Sequence, residues 1–213
     1  VKGRRIVLSL CDKSGIMVRP WVEEGFDCWI VDSALTSRGF GADGIMRVAA
    51  NVLTWAPPFP LSRVAIGFAF PPCTDLAGSG ARWWEGKGAP VYHEATHLAF
   101  RCRDLLTAAG APWMLENPVG RLTRAWRKPD WTFHPWEYGG YFDPPVDGYP
   151  KRTCIWCGAG FQQPPQKETE ITDPNFIHYL SGKDRPELGS ITPRGFAQAV
   201  FETMLPAVKE ARK

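Results

Sequence analysis

Apolar positions along this chain come in short runs broken by polar, glycine- and proline-rich turns. A continuous apolar run bounded by turn residues reads as a buried strand, and apolar residues spaced three to four apart read as a helix face. The first strand spans Arg5 to Leu10, followed by the turn Cys11-Asp12-Lys13-Ser14-Gly15 and a helix through Glu24, closed by Gly25. A second strand runs from Asp27 to Val31 and ends at Asp32, Val48 to Leu53 is a weaker third, and Val64 to Phe70 is the next. His93 to Ala109 sets Leu98, Cys102, Leu105 and Leu106 on one helical face and stops at Gly110. Pro112–Leu115 and Ile155–Gly158 are further strands, and Pro193 to Lys209 is the closing helix, with Pro193 in its first turn and Thr192 as its cap. The aromatic, proline- and glycine-rich stretch from Arg121 to Tyr149 reads as loop more than element, and the polar stretch from Gln162 to Gly189 reads as irregular. Strands alternating with helices predict a single α/β domain with helices on both faces of its sheet.

Composition narrows the class. With 213 residues the chain can fill one such core. No apolar run approaches the ~20 residues of a membrane span, and Val1-Lys2-Gly3-Arg4-Arg5 does not read as a signal peptide. The six cysteines are scattered, which fits reduced thiols in a cytoplasm better than a disulfide framework. A net charge of +3 is too small to mark a nucleic-acid binder by itself, so such contacts must come from local patches.

Candidate chemistry sits at two strand ends. Phe70-Pro71-Pro72-Cys73-Thr74 ends a buried run abruptly, because prolines fix φ and offer no ladder hydrogen bond. Cys73 is therefore held on a stiff loop at the carboxyl end of a strand, where open α/β sheets gather ligands. A free cysteine is also commonly an inert packing residue, and the loop alone leaves both readings open. About forty residues later, Trp113-Met114-Leu115 leads into Glu116-Asn117-Pro118, a separation that suits one βαβ unit. Neighbouring parallel strands then bring Cys73 beside Glu116, pairing a nucleophile with a proton donor.

With these elements the chain resembles the DNA cytosine-5 methyltransferases, in particular compact members from phage and prophage genomes. Pro-Pro-Cys at 71–73 and Glu-Asn-Pro at 116–118 match the family's two catalytic motifs in order and approximate spacing. Lys151-Arg152-Thr153 leading into Cys154-Ile155-Trp156-Cys157-Gly158 is similar to its basic active-site strand, and Ile191-Thr192-Pro193-Arg194-Gly195-Phe196-Ala197 to its late block. The resemblance implies a Rossmann-like sheet binding S-adenosyl-L-methionine (AdoMet). Cys11, Asp12, Ser14 and Gly15 would line its methionine end, Asp32 would grip the ribose, Asn51 would stand near the adenine, and Phe70 and Pro71 would complete the edge. It implies addition of the Cys73 thiolate to C6 of cytosine, with Glu116 protonated or sharing a proton with N3 and Arg152 steadying the O2 edge or a phosphate. The target base must leave the duplex to reach Cys73 unless the substrate is single-stranded. The cellular setting implied is the cytoplasm of a bacterium or phage-infected host.

The chain departs from that pattern in three places. Only one glycine remains in the first turn, Cys154 replaces a second arginine of the basic strand, and the stretch before the late block is too short for a separate recognition domain. Target recognition is then short, relaxed or lent by an accessory protein. DNA contacts are expected from Thr74, Arg82, Trp83, Trp84, Asn117, Arg121, Arg124, Arg127 and Lys128, with Trp126 and Trp131 interleaved. Trp113 and Trp156 read as core. Related readings are another modification of pyrimidine C5, a free-nucleotide substrate, or a catalytically silent DNA-binding relative, against which the intact Cys73 and Glu116 argue. A rival of another class is a zinc hydrolase, since His93-Glu94-Ala95-Thr96-His97 matches the zincin helix motif. No third ligand stands in an evident context for it. Cys154 and Cys157 form a lone Cys-x-x-Cys on a strand, where alternation sends them to opposite faces.

Overall fold

The computed structural model describes residues 5–74, 76–77, 84–176 and 191–211, and of 84–92 only the backbone. The apolar runs form strands β1 (Ile6–Leu10), β2 (Asp27–Val31), β3 (Gly39–Phe40), β4 (Ile45–Val48), β5 (Val64–Ala69), β6 (Trp113–Pro118), β7 (Trp131–Phe133) and β8 (Thr153–Gly158). Helices α1 (Arg19–Glu23), α2 (Trp84–Ala108), α3 (Leu122–Ala125) and α4 (Arg194–Glu210) connect or follow them. All strands join one eight-stranded sheet in the order β3-β4-β2-β1-β5-β6-β8-β7. Strands β4, β2, β1, β5 and β6 are mutually parallel, whereas β3, β8 and β7 are antiparallel to their neighbours. The chain winds outward from β1 to β4 and then crosses back to β5. The turns after β1 and β5 therefore leave the same edge in opposite directions, which opens a crevice there.

Alternation along each strand divides the core between the two faces. Val7 of β1 packs with Met17, Val18 and Trp21 from the first turn and α1, and with Phe196, Val200 and Met204 of α4. Ile6, Leu8 and Leu10 pack with Ala99, Cys102, Leu105 and Leu106 of α2 on the other face. The protein is thus an α/β fold with helices on both faces. Cys154 and Cys157 go to opposite faces as alternation requires, and Trp113 and Trp156 are buried in the core. Among the described residues, no helix is long and apolar enough to cross a membrane.

Several elements differ from the sequence pattern. The third parallel strand is Ile45–Val48 rather than Val48–Leu53, because Asn51 makes its own turn. Its Oδ1 accepts the Leu53 amide at 3.0 Å and its carbonyl accepts the Thr54 and Trp55 amides, and such local bonds compete with a ladder. Helix α2 begins earlier than His93, and β6 runs on through Glu116 to Pro118 because β8 pairs with it residue by residue. The stretch from Arg121 to Tyr149 is not simply loop: it carries α3, β7 and a 3₁₀ segment at Pro135–Tyr141. Phe133 and Tyr138 anchor it by packing on Phe196, with ring centroids 4.1 and 5.2 Å away. Residues 162–176 are irregular as expected, and the rest of that stretch lies outside the described residues.

Thr192 does not cap α4. The N-cap is Pro193, and the orphan Gly195 amide donates instead to Asp147 Oδ2 at 2.8 Å, so the cap comes from a distant loop. A side chain at Gly195 would collide with the Tyr138 carbonyl, so glycine is what lets α4 start against the 3₁₀ segment.

Candidate active site

Strand β5 ends where proline ends its hydrogen bonding. The Phe70 amide makes the last ladder bond, to the Leu10 carbonyl at 2.9 Å, and Pro71 and Pro72 have no amide to continue. The loop beyond them is tied to β6 and to the chain just after it. Asn117 Nδ2 donates to the Pro71 carbonyl at 2.8 Å, the Arg121 amide donates to the Leu76 carbonyl at 2.7 Å, and Ala77 bridges Gly120. Within the loop, the Cys73 carbonyl accepts the Leu76 and Ala77 amides at 3.0 and 2.8 Å. Cys73 is thus held half-buried at the edge where the parallel strands end.

Glu116 reaches the same place from β6, the parallel neighbour of β5, as the motif spacing predicts. Burial pushes the Cys73 thiol above its usual range, Glu116 adds to that, and Lys151 opposes it. Burial likewise raises the Glu116 carboxyl, with Lys151 pulling it back. Glu116 opens into a shallow pocket lined by Phe70, Phe133, Lys151, Ile191, Thr192, Pro193 and Phe196. One acid and one amine thus stand among aromatic side chains at this edge.

Arg152, the basic residue expected here, is exposed, and its neighbour Lys151 lines the pocket instead. Ile155 pairs directly with Glu116, so alternation carried back from Ile155 sets Lys151 on the Glu116 face and Arg152 on the Cys154 face. The signal for Lys151 was present in the sequence as strand period, provided the register of β8 was known.

The turn after β1 is built by the side chains expected to contact a cofactor. Asp12 is buried: its Oδ2 accepts from Ser9 Oγ at 2.8 Å, and its Oδ1 accepts from Ser14 Oγ at 3.0 Å and the Gly15 amide at 2.8 Å. Burial raises its carboxyl, and these three bonds oppose the rise. Asp12 and Ser14 are therefore spent on the turn rather than turned to a ligand. Cys11 adopts φ 54° and donates its amide to the Val31 carbonyl at 2.7 Å, while its sulfur lies 3.8 Å from Cys102 Sγ of α2. Gly15 takes φ 66°, a conformation that favours glycine.

Asp32 stands half-buried at the end of β2, beside Cys11, and its Oδ1 accepts the Ala34 amide at 2.7 Å. Its Oδ2 has no hydrogen-bond partner among the described residues, which leaves one carboxylate oxygen to accept from a hydroxyl. Asn51 is exposed beyond β4. These positions share one sheet edge, and the Asp32 acceptor with a glycine turn beside it fits the ribose side of a nucleoside cofactor such as AdoMet. The fit rests on Asp32 and the backbone, not on the side chains of Cys11, Asp12 or Ser14.

The expected DNA contacts separate into three groups. Thr74, Arg124 and Lys128 are exposed, and Arg121 is partly so. Asn117 is 1% exposed and cannot touch DNA, and its amide serves the Cys73 loop instead. Arg82 and Trp83 lie outside the described residues, as does the Trp84 side chain. Trp126 is engaged within the fold: it stacks on Trp113 and Trp156, with centroids 6.4 and 6.0 Å away, and Trp131 stacks on Phe161. Arg127 is held by both oxygens of Asp130 at 2.8 Å. His93, Glu94 and His97 are exposed on α2, and among the described residues no cluster of three metal-binding side chains forms. A scan of the chain against protein-family models finds no match, and neither does a search of curated proteins.

Proposed function

We propose that this protein methylates C5 of cytosine in DNA through a covalent bond between Cys73 and C6 of the base. The observation that carries the reading is the meeting of Cys73 and Glu116 at the ends of adjacent parallel strands, each raised by burial. The winding of the sheet supports it. Taken in chain order, the five parallel strands read 3-2-1-4-5, the order of doubly wound nucleotide-binding sheets. In this reading the sheet is the Rossmann-like core of an AdoMet-dependent methyltransferase, with Asp32 and the β1 turn at the cofactor side.

Cytosine C5 is a weak nucleophile while the ring is aromatic. Attack by the Cys73 thiolate on C6 breaks the conjugation and makes C5 enamine-like. In this reading Glu116 delivers a proton to N3 as charge builds on the ring, and burial, which raises its carboxyl, favours the protonated form. AdoMet supplies the methyl group as an electrophile. Phe70, Phe133 and Phe196 would shield a ring held there from water. Thr74, which follows Cys73, and Arg152, which follows Lys151, are exposed beside the site, where polar and cationic groups would meet phosphate.

The direct test incubates the protein with DNA and AdoMet labelled in its methyl group, then analyses the nucleosides. Label in 5-methyldeoxycytidine is expected. Label confined to a free nucleotide, or no transfer at all, rejects the reading. Stoichiometric zinc whose removal abolishes an activity would favour the His93–His97 rival.

A further inference from the structure

Glu116 and Lys151 line one pocket, and Cys73 lies on the loop beyond β5, the strand next to that of Glu116. Lys151 is brought there by the alternation of β8, and its carbonyl accepts Thr153 Oγ1 at 3.1 Å, which steadies the approach to the strand. We infer that Lys151 is the resident cation of this pocket, a positioning residue that keeps a single negative charge shared between Cys73 and Glu116. The inference rests on the methyltransferase reading for its chemical purpose, but not for its test.

The charges balance with one proton on the Cys73–Glu116 pair. An ammonium, one negative charge and one proton make a neutral pocket, which suits an uncharged ring and leaves phosphates outside. With the proton on Glu116, the sulfur lone pair forms the S–C6 bond and the C5=C6 electron pair moves to C4–C5. The C4=N3 pair then takes the Glu116 proton at N3. Glu116 is left as a carboxylate in the pocket that Lys151 also lines, so the cation offsets its charge as the bond forms. Without it, nothing in the pocket would oppose the rise that burial imposes on both Cys73 and Glu116.

Other ionisable groups face this cluster. Tyr149 lies near Glu116 and Asp147, and Asp147 is opposed by Arg194 at the start of α4; Cys154, on the other face of β8, feels Glu116 and Arg152 with opposite signs. Of the cations, Lys151 opposes the rise at both Cys73 and Glu116, whereas Arg152 acts on Cys154.

The test measures alkylation of Cys73 by iodoacetamide against pH, with the site followed by peptide mapping, in protein without DNA or cofactor. Lys151→Met should move the Cys73 midpoint up by about one pH unit, the usual effect of losing a nearby opposite charge. Lys151→Arg should restore it, Glu116→Gln should lower it, and Arg152→Met should leave it in place. An unmoved midpoint in a Lys151→Met protein that melts like wild type overturns the inference, as does a shift produced by Arg152→Met. Should Lys151→Met not fold, Lys151→Gln serves the same comparison. A shifted midpoint in a protein that makes no labelled 5-methylcytosine would reject the methyltransferase reading and uphold this one. Labelled product with an unmoved midpoint would do the reverse.

Discussion

Asn117 on β6 holds Pro71 on the loop after β5 by one buried hydrogen bond, Nδ2 to carbonyl oxygen at 2.8 Å. A proline-rich turn has few amides with which to fix itself, so a neighbouring strand supplies the donor. The residue beside Glu116 thereby sets the position of the Cys73 loop.

Replacing Asn117 with Ala strands the Pro71 carbonyl in buried surroundings, where losing a hydrogen-bond partner costs about 1–3 kcal/mol. Urea unfolding should show a loss in that range, and methyl transfer should fall further than stability alone explains. Unchanged stability would mean that the Arg121 amide and the Ala77–Gly120 bridge hold the loop without it.

Cys73→Ser is nearly isosteric, so the fold should persist while transfer is lost. DNA containing 5-fluorocytosine should trap a covalent adduct with the wild-type protein and none with the variant. Turnover that survives in the serine variant would remove Cys73 from the mechanism.

Glu116 makes a prediction about stability against pH. Burial raises its carboxyl in the folded protein, so over the range between the unfolded value of about 4.3 and the folded one the native state binds more protons. The contribution of Glu116 to stability is therefore most favourable at low pH and is lost as pH rises through the folded value. Glu116→Gln removes the buried charge. The variant should gain stability over wild type by more at pH 8 than at pH 4 while losing transfer. A gap that is constant, or larger at pH 4, would show that the carboxyl is not raised.

Asp32→Ala should weaken binding of S-adenosylhomocysteine by about 1–3 kcal/mol, the cost of losing a charge-assisted acceptor. Calorimetry gives the answer directly. Equal affinity in the two proteins would move the ribose contact away from β2.

Much of this architecture was legible in the residues alone. Asp27–Val31 is the strand that its apolar run describes, and β1 and β5 each differ from the predicted run by one end residue. Burial on both faces demands such runs, and turn residues bound them. The convergence of Cys73 and Glu116 was legible too, because a strand, a crossover helix and a parallel strand have a characteristic length.

What escaped the sequence depends on partners far away along the chain. Asp147 caps α4 across a separation of 48 residues, and no local pattern announces a cap from that distance. Phe133 and Tyr138 order a segment that reads as loop because its stabilisation comes from Phe196. Asp12 has the sequence context of a ligand contact, yet Ser9, Ser14 and the Gly15 amide claim both its oxygens. By itself the sequence determined which residues form the strands and which two reactive groups end them, since local hydrophobicity and turn chemistry decide that. Only the tertiary structure decided that Lys151 rather than Arg152 enters the pocket, because a strand shows each residue to one face and the pairing of β8 with β6 selects which.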